Sequence, residues 1–137
     1  MIYEVTLTVP ANTAQSAPAS QDFFLHPGTV ELVNIQLPPG CAGLVHAIVK
    51  ANEHQIWPSQ LDQSFHGDDL NVSFPEHLEL GDSQNRFQLV AWSDDDTYEH
   101  EAIVRLAVVE IGGTLQEAIA LIGAPTERLI TSGDAGG

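Results

Sequence analysis

A chain of 137 residues with four basic and nineteen acidic side chains, a net charge of −15 and a hydrophobic fraction of 43% has the length and composition of one packed domain, not of a disordered polymer. The charge excludes nucleic acid and anionic membrane as partners, since both repel a polyanion. Cys41 is the single cysteine, which excludes an internal disulfide framework and a multi-thiolate zinc site.

Met1–Val9 lacks a basic start and a continuous apolar stretch, so it reads as a strand and not a signal peptide. Ile2–Val9 alternates with β-branched enrichment. Pro10–Gln21 is small, polar and proline-bearing, an extended arm. Asp22–Leu25 predicts a short strand that His26-Pro27-Gly28 stops. Thr29–Leu37 is a strand whose phase slips at Leu32-Val33, the sign of a bulge or of two covered faces. Pro38-Pro39-Gly40 closes it, and Gly43–Ala51 is the next strand. A turn at Asn52-Glu53 leads to a short strand His54–Trp57, and Pro58–Asp69 reads as a polar loop. Leu70–Phe74 alternates cleanly, Arg86–Ser93 is a strand with Phe87, Leu89 and Ala91 inside, and Asp94–Thr97 is a hairpin loop before the long strand Glu99–Ile111.

Seven or eight short strands with frequent turns, and no β-α-β alternation, predict an all-β antiparallel β-sandwich, jelly-roll or immunoglobulin-like. One short C-terminal helix follows. Thr114 to Glu117 is a capping box, Leu115, Ile119 and Ile122 share a face, and Gly123 with Pro125 supplies the stop. The chain divides into an N-terminal strand and arm (1–28), a sandwich body (29–111) and a helix with a glycine-rich tail (112–137).

No residue set carries a catalytic signature. The histidines at positions 26, 46, 54, 66, 77 and 100 form no metal-binding pair in sequence and read as scattered surface groups. The serines lack a nucleophile-elbow context, and Cys41 reads as a buried packing thiol. Asp94, Asp96 and Glu99 are the carboxylates that would hold a hard cation, but the calcium-loop pattern fails and the stretch reads as a solvated hairpin tip. No metal and no cofactor is expected. Of the two tryptophans, Trp92 lies in a strand beside Phe87 and Leu89 and is assigned to the core. Trp57, ahead of Pro58, is assigned to the surface as the candidate sugar-stacking residue.

Three stretches, Pro38–Val45, Glu53–Pro58 and Trp92–Tyr98, resemble small β-sandwich proteins of tailed bacterial and archaeal viruses. The resemblance covers residues 32–111. It implies a non-enzymatic virion component, a capsid decoration or head-associated accessory protein, assembled in the host cytoplasm. The implied partners are other virion proteins, a major capsid or portal-proximal protein, and further copies of the chain. The residues expected to dock are Leu115, Ile119, Ile122, Leu129, Ile130 and Trp57. The alternative is a glycan-binding β-sandwich module.

Overall fold

The computed structural model describes residues 1–81 and 85–110, and the description below is of these. Nine strands run in chain order: β1 (Ile2–Val9), β2 (Ala19–Leu25), β3 (Gly28–Leu37), β4 (Val45–Ala51), β5 (His54–Trp57), β6 (Phe65–His66), β7 (Leu70–Leu80), β8 (Asn85–Ser93) and β9 (His100–Glu110). One sheet has the order β1-β9-β3-β7. The other has the order β2-β8-β4-β5, with β6 also pairing on β4. Every pairing is antiparallel.

Apart from the β4–β5–β6 segment, successive strands pass from one sheet to the other. That alternation is the double Greek key of a jelly roll, whereas an immunoglobulin-like sandwich keeps its first two strands hydrogen-bonded neighbours. The alternative left open by strand count is therefore resolved as a jelly roll. The division at residue 28 does not separate an arm from a body. β1 pairs with β9 and β2 with β8, and Leu7, Val9, Phe23 and Leu25 belong to the core. Only residues 10–18 form the arm. The predicted helix, with Leu115, Ile119, Ile122, Leu129 and Ile130, lies outside the described residues, as does the boundary at 111/112.

Alternation places the core. From β8, Phe87, Leu89 and Ala91 point inward; from β4, Val45, Ala47 and Val49; from β9, Ala102, Val104, Leu106 and Val108. These meet Val30, Val33, Ile35 and Leu37 of β3 to fill a sandwich whose sheets pack about 10 Å apart. Val30 and Val33 are three residues apart yet both inward, because the register of β3 shifts between Val30 and Leu32. Asn52 and Glu53 both have positive φ, 49° and 71°, the type I′ geometry of a two-residue hairpin between β4 and β5. The strand expected over Leu70–Phe74 continues through Pro75 to Leu80 as β7. It is the edge of its sheet, and Pro75 sits opposite Leu32 at the register shift, a place where a missing N–H is tolerated.

Candidate functional site

The outward residues of β4 and β8 form the floor of the site. Register sets His46 opposite Trp92, Ile48 opposite Val90 and Lys50 opposite Gln88. Ile48 and Val90 are buried, at 7% and 4% exposure, although they point away from the core. Two segments fold back over the sheet to cover them. Residues 10–18 contribute Gln15 and Pro18, and the β5–β6 loop contributes Leu61, Asp62, Gln63 and Ser64. Between these walls lies a cleft of about 610 Å³, a size suited to a small-molecule ligand.

Both walls are pinned. The Gln55 side chain reaches from β5 and donates its amide N–H groups to the carbonyls of Pro58, Gln60 and Gln63, at 2.8, 3.0 and 3.3 Å. An amide has two such protons, so one is shared. On the other side Ser93 donates its backbone N–H to the Thr13 carbonyl (2.9 Å) and Asn12 donates to the Asp95 carbonyl (2.8 Å). The Asp95 carboxylate accepts from His100 Nε2–H (2.7 Å) and from the backbone of Thr97 and Tyr98. The His100 contact first, then the Thr97 N–H, hold the Asp95 carboxyl below its ordinary value. On the far side of β6, Asp68 accepts from the backbone N–H groups of Gly40 and Ala42, at 2.8 and 3.0 Å.

An aromatic row crosses the sheet at one end of the cleft. The His46 ring stacks on Trp92 with centroids 5.5 Å apart and planes 7° from parallel, and His66 lies 5.1 Å from His46. Two of the six histidines thus meet in space, across β4 and β6. The Ser64 Oγ is 2.9 Å from His46 Nδ1, and Asp94 Oδ2 lies 3.4 Å from Nε2.

Serine, histidine and aspartate are the members of a nucleophilic triad, but their arrangement is that of a clamp. A triad's orienting carboxylate is buried and hydrogen-bonded to the imidazole, whereas the Asp94 side chain is 68% exposed and its contact is long. What the three residues do is fix the plane of His46 against Trp92.

The two tryptophans exchange places relative to the sequence assignment. Trp57 is a core residue, 3% exposed. Its ring packs against Phe74 and Phe87, and its Nε1–H donates to Glu76 Oε2 at 2.7 Å. Trp57 closes its short strand by turning inward under β7, so it is not available to a partner or a sugar. Trp92 stands half-buried on the outer face, in the cleft. Its position was readable: with Phe87, Leu89 and Ala91 inward, residue 92 must point out.

Asp94, Asp96 and Glu99 are exposed, and Asp94 turns toward His46. Among the described residues no three His, Cys, Asp or Glu side chains converge on a point where a metal ion would sit. Cys41 is buried as expected, and burial pushes its thiol above the ordinary value.

No family model matches the chain, and no curated protein matches it. Among solved structures it is similar to the CBM36-1 domain of a multidomain xylanase from the hindgut metagenome of Trinervitermes trinervoides. That match has 9% identity and a TM-score of 0.42, over 76% of this chain and 96% of that one. It is also similar to the CBM35 of Paenibacillus barcinonensis, with 10% identity and a TM-score of 0.40 over 77% and 97% of the two chains. A family 35 carbohydrate binding module from Clostridium thermocellum matches with 12% identity and a TM-score of 0.39, over 77% and 89%.

Proposed function

We propose that this chain is a non-catalytic glycan-binding module that takes a sugar chain in the cleft over β4 and β8. The observation that carries the reading is the composition of that cleft. Its floor offers the half-buried ring of Trp92 stacked beside His46, above the buried Ile48 and Val90, and its walls present Gln15, Gln63, Ser64 and Asp62. A pyranose has the matching character, with C–H groups on its faces and hydroxyls around its rim. Amides, hydroxyls and carboxylates are the donors and acceptors that read such a rim, and an aromatic side chain adds a large rigid contact surface. The clamp on His46 and the pins at Gln55 and Thr13 hold the cleft in shape before ligand arrives, which lowers the entropic cost of binding.

The virion-accessory reading rests on docking through the arm Pro10–Gln21, through residues 112–137, which lie outside the described residues, and through Trp57, which is buried. The cleft is therefore the feature on which function is argued.

The test uses Trp92 as its own reporter. A Trp57→Phe variant leaves one tryptophan, in the cleft, and is titrated with neutral and acidic oligosaccharides. Saturable change in its emission is expected for at least one glycan class. In the parent chain, Trp92→Ala should weaken that binding by tenfold or more while leaving the far-ultraviolet circular dichroism unchanged. Absence of any saturable response across the panel at millimolar ligand would end the reading.

A further inference from the structure

We infer that the cleft selects glycans bearing an isolated anionic substituent, a carboxylate or a sulfate ester, through Lys50. The inference rests on the glycan-binding reading and deepens it. The chain has four Lys and Arg residues against nineteen Asp and Glu, so each cation is readily matched by a neighbouring carboxylate. Arg86 is paired with Asp22 at 3.0 Å and Arg105 with Glu4 at 2.6 Å. Among the described Lys and Arg residues Lys50 alone has no carboxylate within 4.0 Å. It is also the one that lines the cleft.

The residues beside Lys50 do not neutralise it. On β8 it faces Gln88, whose amide is committed to Asp22 at 3.0 Å; on β5 it faces Gln55, committed to the loop carbonyls. A lysine ammonium is a compact charge with three donors, and among the described residues none of the three meets a carboxylate within 4.0 Å. The cleft's own carboxylates do not bond it. Asp94 sits by His46 at the other end of the strand, roughly 13 Å away along β4 at about 3.3 Å per residue. Asp62, on the loop wall, makes no ion pair with it within 4.0 Å.

The net charge narrows the ligand further. A field from −15 repels a polyanion over its whole length, while a single anionic group at Lys50 gains the contact and suffers the repulsion once. The ligand that fits is a mostly neutral chain with sparse acidic substituents, a neutral unit against the Trp92 ring and its acidic group at Lys50.

Three probes decide this at about 0.15 M salt, where the Debye length of about 8 Å screens the distant charges. They are an oligosaccharide with one uronic acid, its carboxyl-reduced counterpart, and a counterpart with one sulfate ester. The parent should bind one or both acidic probes about fivefold or more tighter than the reduced one, a size typical of a half-exposed charge-assisted contact. Which acidic probe is preferred identifies the group. Lys50→Gln should erase that preference and leave affinity for the reduced probe within about twofold, and Lys50→Arg should keep it. Equal affinity for acidic and reduced probes, or a preference that survives Lys50→Gln, overturns the inference and leaves glycan binding standing. Failure of all three probes to bind overturns both.

Discussion

Replacing Trp57 with alanine tests the placement of the two tryptophans through stability. Trp57 is 3% exposed, packed against Phe74 and Phe87 at centroid distances of 6.2 and 6.3 Å, and donates to Glu76 at 2.7 Å. Removing a buried aromatic ring of this kind costs about 3–5 kcal/mol. The lost hydrogen bond adds little, because Glu76 is half-buried at the edge strand and also accepts from the His77 N–H through Oε1, so water can replace the indole. A domain of this size holds roughly 5–15 kcal/mol in all, so the variant would forfeit about a fifth of it at the least. Trp57→Phe keeps most of the ring and should cost about 1–2 kcal/mol.

Trp92→Ala, on the half-buried outer face, should cost no more than about 2 kcal/mol. Urea unfolding followed by far-ultraviolet circular dichroism measures all three, and an unchanged slope keeps the comparison on stability alone. If Trp92→Ala proved as costly as Trp57→Ala, the inside and outside of β8 would have been assigned wrongly, and the cleft floor with them.

Three further outcomes follow from the pins around the cleft. Gln55→Ala removes the donors to Pro58, Gln60 and Gln63; it should cost about 1–3 kcal/mol and speed hydrogen exchange across residues 58–63 more than elsewhere. Asp68 is held below its ordinary value of 3.8, first by the Ala42 N–H and then by the Gly40 N–H. A depressed folded-state value means stabilisation that is full above the unfolded value and is lost as pH falls through the folded one. The melting-temperature gap between the parent and Asp68→Asn should therefore be widest near neutrality and shrink below about pH 4; a gap that grows with acid contradicts the assignment. A fluorophosphonate probe should leave the chain's mass unchanged, whereas a stoichiometric adduct on Ser64 would turn the His46 clamp into acyl-transfer machinery and remove the non-catalytic reading.

Much of the fold was legible because period-2 patterning is a local property. Ile2–Val9, His54–Trp57 and the strand ending at Ser93 could be placed from alternation and turn residues, and the phase slip in β3 announced its register shift a residue or two from where it falls. Pairing order was not legible, since antiparallel neighbours such as β1 and β9 are about a hundred residues apart and nothing in either strand names its partner. The end of β7 was hidden for a related reason: Pro75 breaks a central strand but not an edge, and edge position follows from topology.

The site was half legible. The run Val45–Val49 carries Ile48 among residues that alternate inward, and Val90 does the same in β8. Apolar residues on both parities mean a strand covered on both faces, so the pattern of side chains by itself implies a covering segment over β4 and β8. What the chain order cannot show is that the cover comes from two places, residues 10–18 and the β5–β6 loop. Nor does it show that Ser64 and Asp94, thirty residues apart, close on the same imidazole.

The cover also changes what the acidity means. Spread evenly, a charge of −15 would make every part of the surface hostile to anions. The pairing of Arg86 with Asp22 and of Arg105 with Glu4 removes two of the cations from play on the outer faces of the two sheets. Lys50 is left beside two committed glutamines, half-buried in a recess that is open on one side. Low dielectric strengthens a contact made inside such a recess more than it strengthens repulsion from charges across bulk water. The same chain can therefore reject polyanions at a distance and accept one anionic group at close range. That combination depends on Ile48 and Val90 being covered, because a Lys50 on an open sheet would be screened like any other surface cation.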